Sequence, residues 1–254
     1  MKDRTIIEAY DKWNNELEEK FCQLHKDSLY YIWDGVISPI HYFHSKIKIL
    51  FINREAYDVN KDYFDLAKTI DKSIKNGEPF WVKQQLLKAS LKKEFVAIKA
   101  VVEKNNHEIN DILAHYTKND LITDIQASAF INIKKSDGNT RSSLLDLFAH
   151  VQKDIDIIKE QIRYFNPSII VGGNIVDGIL EKEPKIEWGD NLCRYRSANI
   201  FQLKIGDNLY PYLDLYHPSS TRINAIEIYK AMKKVEQQNP LYWQKRLNLS
   251  CFDL

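Results

Sequence analysis

Three short polar segments carry side chains suited to bond cleavage, and each follows an apolar, strand-like run. The first contains Glu55 and Asp58, the second contains Asn132, and the third contains His217. Carboxylates can orient water and balance positive charge, an amide both donates and accepts hydrogen bonds, and a histidine can stabilise a leaving group. If the three runs are strands of one open α/β sheet, these side chains converge on a crevice at the carboxyl ends of the strands, where ligands bind.

The elements that would position these side chains alternate between strand and helix. Apolar, strand-like runs occupy residues 47–53, 127–133, 168–171, 199–205 and 210–216. Apolar residues recur every three or four positions over residues 5–26 and 142–164, as in an amphipathic helix. This alternation predicts an α/β fold with three layers (αβα), in which helices cover both faces of a central, mainly parallel sheet.

The length of the chain fits a single domain that spans residues 1–254. Two regions add to the alternating pattern. Residues 1–45 precede the first strand and are interpreted as an N-terminal helical extension. Residues 60–120, rich in lysine and apolar residues, predict a helical insertion that packs on the sheet between the first two strands.

The balance of charges limits the kinds of partner. The sequence has 36 basic and 35 acidic side chains, a formal net charge of +1, which excludes a uniformly cationic protein that coats DNA. Its three cysteines lie far apart without a C-x-x-C pair, and every apolar run is shorter than a membrane span. We therefore expect a cytoplasmic protein with no disulfide framework and no membrane association.

The polar segments resemble motifs of the uracil-DNA glycosylase superfamily, and are most similar to its bacterial and archaeal iron-sulfur type. Glu55-Ala56 resembles the centre of the family's G-E-A-P-G loop, and His217-Pro218-Ser219 matches the H-P-S motif that opens the loop inserted into DNA. The family's T-N-V-V-K-C-R-P-P-G-N-R segment has corresponding residues at Asn132, Lys134, Asn139 and Arg141. With residues 167–173, which resemble the third strand, the similarity covers roughly residues 46–235.

The resemblance implies an enzyme that flips a base out of DNA, hydrolyses its N-glycosidic bond and leaves an abasic site. In such a reaction the sugar gains positive charge and the leaving base gains negative charge. A carboxylate beside the sugar and donors around the base would stabilise these charges. The implied catalytic residues are therefore Glu55 and Asp58, either of which can position the water, and His217.

The resemblance also implies residues that bind the base and the DNA backbone. The amide of Asn132 suits the hydrogen-bonding edge of an extruded base, and either Tyr57 or Phe64 would stack on that base. The expected DNA contacts come from Lys134, Arg141, Ser219 and Arg222. DNA is the expected partner, and a monomer is favoured.

Two departures from the family change what we expect of the catalytic loop and of bound cofactors. Tyr57 and Asp58 stand where the family has Pro-Gly, so the loop that positions the water must differ. The four cysteines that would bind an iron-sulfur cluster are absent, and we expect neither a metal nor another cofactor.

The long insertion motivates a narrower hypothesis about the excised base. A base pocket reshaped by residues 60–120 would suit a bulky base, such as the glucosylated hydroxymethylcytosine of phage DNA, which would make the protein an antiviral defence enzyme. One alternative is a conventional uracil or mismatch glycosylase of base excision repair. An alternative of another class is a non-catalytic nucleic-acid-binding protein with the same fold.

The same residues also have ordinary structural interpretations. Glu55 is then a surface acid, Asn132 satisfies the backbone at a strand end, and His217 is a buried, hydrogen-bonded residue. Ser219 and the two residues after it would cap a helix that begins near Arg222.

A glycosylase with a net charge of +1 needs a local cationic rim around the extruded nucleotide. We expect this rim to be built by basic residues in or near the site segments, with the acids elsewhere: Lys134, Lys135, Arg141, Arg194, Arg196 and Arg222.

Overall fold

The computed structural model of the protein describes residues 2–25, 31–54, 64–65, 67, 69–70, 81–135, 143–173, 175–176, 179–216 and 222–250. The helices are α1 (Lys2–Leu24), α2 (Pro39–His44), α3 (Trp81–Val102), α4 (Ile109–His115), α5 (Lys118–Gln126), α6 (Leu144–Phe165), α7 (Ala225–Gln238) and α8 (Tyr242–Ser250), with a 3-10 turn at Leu180–Lys182. The strands are β1 (Ile32–Trp33), β2 (Gly35–Val36), β3 (Ile49–Asn53), β4 (Phe64–Asp65), β5 (Ser128–Asn132), β6 (Ile169–Gly173), β7 (Glu187–Tyr195), β8 (Ala198–Ile205) and β9 (Asn208–Leu215).

The main sheet has seven strands in the order β2-β5-β3-β6-β9-β8-β7. Its four central strands, β5, β3, β6 and β9, run parallel, whereas β2 at one edge and β8 and β7 at the other pair antiparallel. The prediction of a mainly parallel sheet therefore holds for the centre alone. Two-residue connections join β7 to β8 and β8 to β9, and connections this short allow only antiparallel pairing.

Helices cover both faces of the sheet, as the alternation of strands and helices predicted. Ile49 and Phe51 of β3 pack in a core with residues of α3, α5 and α7. Leu50 and Ile52 of the same strand belong to a second core with residues of α6. Successive side chains of a strand point to opposite faces, so one five-residue strand contributes to two cores.

The N-terminal region contains strands as well as helices. β2 extends the main sheet beside β5, and β1 pairs with β4 in a separate two-stranded parallel sheet. β4 lies inside the region expected to be wholly helical, before α3, α4 and α5. Two-residue strands are too short to produce a detectable apolar alternation, so their hydrophobic pattern could not reveal them.

The helix α6 begins two residues later than expected, and its N-terminal leucines do not join the core. Leu144 and Leu145 are 50% and 82% exposed, although they fit the apolar stripe that the sequence predicted. From Leu147 onwards the stripe is buried as expected. No helix in the described parts of the chain is both long and apolar enough to cross a membrane.

Candidate functional site

The carboxyl ends of the four parallel strands lie along one edge of the sheet. The chain that leaves β3 continues to β5 on one side, whereas the chain that leaves β6 continues to β7, β8 and β9 on the other side. The boundary between β3 and β6 is therefore a topological switch point, where open α/β sheets bind ligands. Two of the three polar segments begin directly after β3 and β9 at this edge, and the other begins within the last residues of β5.

Asn132 ends β5, the neighbour of β3 on the side away from the switch point, and is in register with Asn53 at the end of β3. Asn132 is 1% exposed, and its Nδ2 finds no hydrogen-bond partner among the described residues. Its backbone N–H donates a hydrogen bond of 2.7 Å to the carboxylate of Asp34. A buried amide with an unused donor at a strand end suits the recognition of a ligand's polar edge.

The segment between β3 and β4 has both ends anchored beside the chain that follows β5. At its start, the N–H of Lys134 donates to the carbonyl of Arg54 over 3.0 Å. At its end, Phe64 is in register with Ile32, whose N–H donates to the carbonyl of Lys135 over 2.9 Å. These contacts hold the two ends of the segment close to the end of β5.

This segment contains Glu55, Tyr57 and Asp58, which the sequence analysis predicted to act in catalysis or to stack on the base. All three residues lie outside the described parts of the chain, as do Arg141, His217 and Ser219. Phe64, the alternative stacking residue, is the first residue of β4. The backbone thus brings the two ends of the carboxylate-bearing segment close to Asn132, while the positions of the carboxylates themselves stay predictions.

The segment that carries His217 follows β9 and ends near α7. The side chain of Asn224 caps α7 by accepting a hydrogen bond of 3.0 Å from the N–H of Ile226. The interpretation of Ser219 and its two neighbours as the cap of this helix is therefore wrong, because the helix begins three residues beyond Arg222. Arg222 is exposed, and its guanidinium lies 5.2 Å from the ring centre of Tyr216.

The two lysines after β5 are buried rather than presented to solvent. The side chain of Lys134 is 5% exposed, and its ammonium lies 3.0 Å from the carboxylate of Asp146. Lys135 is fully buried in an ion pair of 2.8 Å with Asp34, so its expected place in the cationic rim is wrong. Burial lowers the pKa of Lys135, while the Asp34 carboxylate opposes that shift by stabilising the charged ammonium.

Two arginines of the expected rim do face solvent at the carboxyl edge. Arg194 and Arg196 lie at the end of β7, whose direction matches that of β9 because both flank the antiparallel β8. Arg196 is 72% exposed and lies 3.4 Å from Glu227. Together with Arg222, they place exposed guanidinium groups along the edge where the polar segments begin.

Asp34 and Glu94 are among the buried acids that the sequence did not identify. Asp34 lies 2% exposed between β1 and β2, and Glu94 lies fully buried in α3. Neither carboxylate oxygen of Glu94 has a hydrogen-bond partner among the described residues, and burial raises its pKa to about 8. The available signal was an acid amid apolar residues, as in Ile-Trp-Asp-Gly-Val and on the stripe of Leu91 and Ile98.

No protein-family model matches the chain, and no curated protein is significantly similar to it in sequence. Within the described ranges, no group of three or more histidine, cysteine, aspartate or glutamate residues could hold a metal ion. The described side chains at the carboxyl edge include the amide of Asn132 and the exposed arginines Arg194, Arg196 and Arg222.

Proposed function

We propose that the protein is a DNA glycosylase that excises a modified or damaged base and leaves an abasic site. The observation that carries the proposal is the position of Asn132. This buried amide, with Nδ2 unbonded among the described residues, lies one strand away from the switch point and close to both anchored ends of the segment that contains Glu55 and Asp58. The segment with His217 leaves β9 at the same edge.

In the proposed reaction the bond between C1′ of the sugar and the base nitrogen breaks, and its electron pair leaves with the base. Glu55 or Asp58 stabilises the positive charge on the sugar, orients a water molecule and takes a proton as the water oxygen bonds to C1′. His217 donates a hydrogen bond to the leaving base, and Asn132 binds the hydrogen-bonding edge of that base. Tyr57 or Phe64 stacks on its face.

The exposed arginines support DNA as the substrate. Arg194, Arg196 and Arg222 are exposed along the carboxyl edge, where a flipped nucleotide would enter, and their charge can neutralise backbone phosphates. The long insertion between β3 and β5, which includes α3, α4 and α5, motivates the narrower proposal of a bulky base such as glucosylated hydroxymethylcytosine.

Base excision can be tested with three DNAs: uracil-containing, unmodified, and phage DNA with glucosylated hydroxymethylcytosine. After incubation with the protein, heating in alkali breaks the strand at abasic sites, and mass spectrometry identifies the released base. We expect breaks in the glucosylated DNA and none in unmodified DNA. Breaks confined to uracil DNA would contradict the bulky-base hypothesis and identify a conventional glycosylase.

Variants separate an enzyme from a binding protein of the same fold. We expect Glu55→Gln, Asp58→Asn and His217→Ala to slow excision by tenfold or more. Glu103→Gln should not, because Glu103 is an exposed acid that follows α3 and lies near the amino-terminal ends of β3 and β5. DNA binding by the wild type without base release from any of the three DNAs would refute the enzymatic proposal.

A further inference from the structure

The carboxylate of Asp34 joins three parts of the chain that meet below the candidate site. One of its oxygens accepts the backbone N–H of Asn132 at 2.7 Å and the ammonium of Lys135 at 2.8 Å. The other accepts the side-chain amide of Gln161 at 2.7 Å and the same ammonium at 3.1 Å. These bonds connect the end of β5, the turn after it and helix α6 to one buried group.

The burial of this cluster makes its geometry hard to change. The side chains of Asp34 and Lys135 are both 0% exposed, and Gln161 is fully buried as well. A buried carboxylate that loses a donor is left without water to replace it, so the loss of any of these bonds is unfavourable. Charge-assisted bonds of this kind are also short and directional, so the Asn132 backbone is held at a set position.

The same cluster reaches the segment that carries the proposed carboxylates. Asp34 directly follows β1, and Ile32 of β1 binds the carbonyl of Lys135. β1 also pairs with β4, where that segment ends. A shift of Asp34 would therefore move Asn132 together with β1 and β4, where the segment ends.

We propose that Asp34 is a positioning residue, which acts through its hydrogen bond to Asn132 and sets where the amide that recognises the base lies. This inference rests on the proposed function, because it assigns Asn132 the role of binding the base. Asp34 itself is buried and touches no substrate. Its loss should slow excision without weakening the binding of DNA.

Two nearly isosteric double variants isolate the hydrogen bond from the ion pair. Asp34→Asn with Lys135→Met removes both charges but leaves an oxygen that can accept from Asn132. Asp34→Leu with Lys135→Met removes the same charges and leaves no acceptor. Neither retains an unpaired buried charge, so both are expected to fold. Asp154→Asn, which alters an equally buried carboxylate bound to His25 at 2.5 Å, controls for a general loss of stability.

Two measurements read the outcome. The single-turnover rate of excision should stay within about threefold of wild type for the asparagine double variant, and fall by about tenfold or more for the leucine double variant, with unchanged Kd for DNA. Hydrogen exchange at the backbone N–H of Asn132 should accelerate by about tenfold or more in the leucine double variant alone, compared with Asp154→Asn at matched stability.

Equal rates and equal Asn132 exchange in the two double variants would overturn the role of Asp34. If the leucine double variant does not fold, Asp34→Ala with Lys135→Met provides a second test, because it also removes the acceptor and both charges without adding bulk. It should slow excision and accelerate the exchange of the Asn132 backbone N–H, and wild-type values of both would contradict the proposal. A wild type that excises no base would refute the proposed function, while the exchange measurement would still decide whether Asp34 holds Asn132.

Discussion

The side chain of Glu94 lies within the apolar core that α3 forms with the sheet. It is 0% exposed, and one residue further along, Phe95 packs edge-on against Phe51 of β3, with ring centres 5.5 Å apart. Burial raises the pKa of Glu94 from its ordinary value of 4.5 to about 8 because a carboxylate is poorly solvated in this core. Glu94 is therefore a neutral acid at pH 7.

Glu94 should make the stability of the protein depend on pH. Between pH 4.5 and about 8 the folded state holds a proton that the unfolded state has lost, so the free energy of unfolding falls as pH rises. The slope is about 1.4 kcal/mol per pH unit, or about 5 kcal/mol across this range. We expect urea unfolding at pH 5, 7 and 9 to give this decline for the wild type, and a flatter profile for Glu94→Gln.

Glu103→Gln is the matched control, because it makes the same substitution at an exposed glutamate that directly follows α3. Its unfolding profile should decline with pH as that of the wild type does. Parallel profiles for the wild type and Glu94→Gln would show that Glu94 keeps its charge when the protein is folded.

The packing between β6 and β9 depends on a glycine at the carboxyl edge. A Cβ atom added at Gly172 would lie 1.7 Å from the hydroxyl oxygen of Tyr212 on the neighbouring strand. Gly172 therefore allows a large, fully buried ring to lie across β6. The space that the Tyr212 ring occupies accounts for this glycine.

Two residues before α7 are expected to have different roles: Asn224 caps the helix, and Ser219 binds DNA. Asn224→Ala should lower the free energy of unfolding by about 1 kcal/mol, because it leaves the N–H of Ile226 without its side-chain acceptor. Ser219→Ala should leave stability unchanged and weaken binding of DNA, if Ser219 contacts a phosphate. Urea unfolding and DNA titration of both variants check this pair, and a loss of stability in Ser219→Ala would contradict the separation.

Across the whole molecule, a net charge of +1 coexists with exposed arginines along the edge that carries the candidate site. Buried lysines contribute to the formal count without attracting DNA, because Lys134 and Lys135 are paired with Asp146 and Asp34. If the protein binds DNA as proposed, the charge that DNA meets is set by the cations that remain on the surface.

Arg222→Ala should reduce the salt dependence of DNA binding. Each phosphate contact that is lost lowers the magnitude of the slope of log K against log salt concentration by about 1. We expect this change when Kd is measured between about 50 and about 200 mM salt, where counterion release is evident. Arg4→Ala is the control, because Arg4 is an exposed cation on α1 that lies next to Glu8. An equal change of slope in both variants would contradict a localised contact.

The sequence by itself determined the elements with a clear apolar period and the polar segments that adjoin them. β3, β5 and the buried stripe of α6 lie close to their predicted positions, because apolar periodicity depends only on neighbouring residues. The tertiary structure alone decided the antiparallel pairing of β2 with β5, the burial of Lys135 and the contacts of Asp34. Asp34 binds Asn132, Lys135 and Gln161 across 98, 101 and 127 residues of sequence. No local pattern encodes such contacts, because the partner of a buried charge is chosen by which distant segments fold against it.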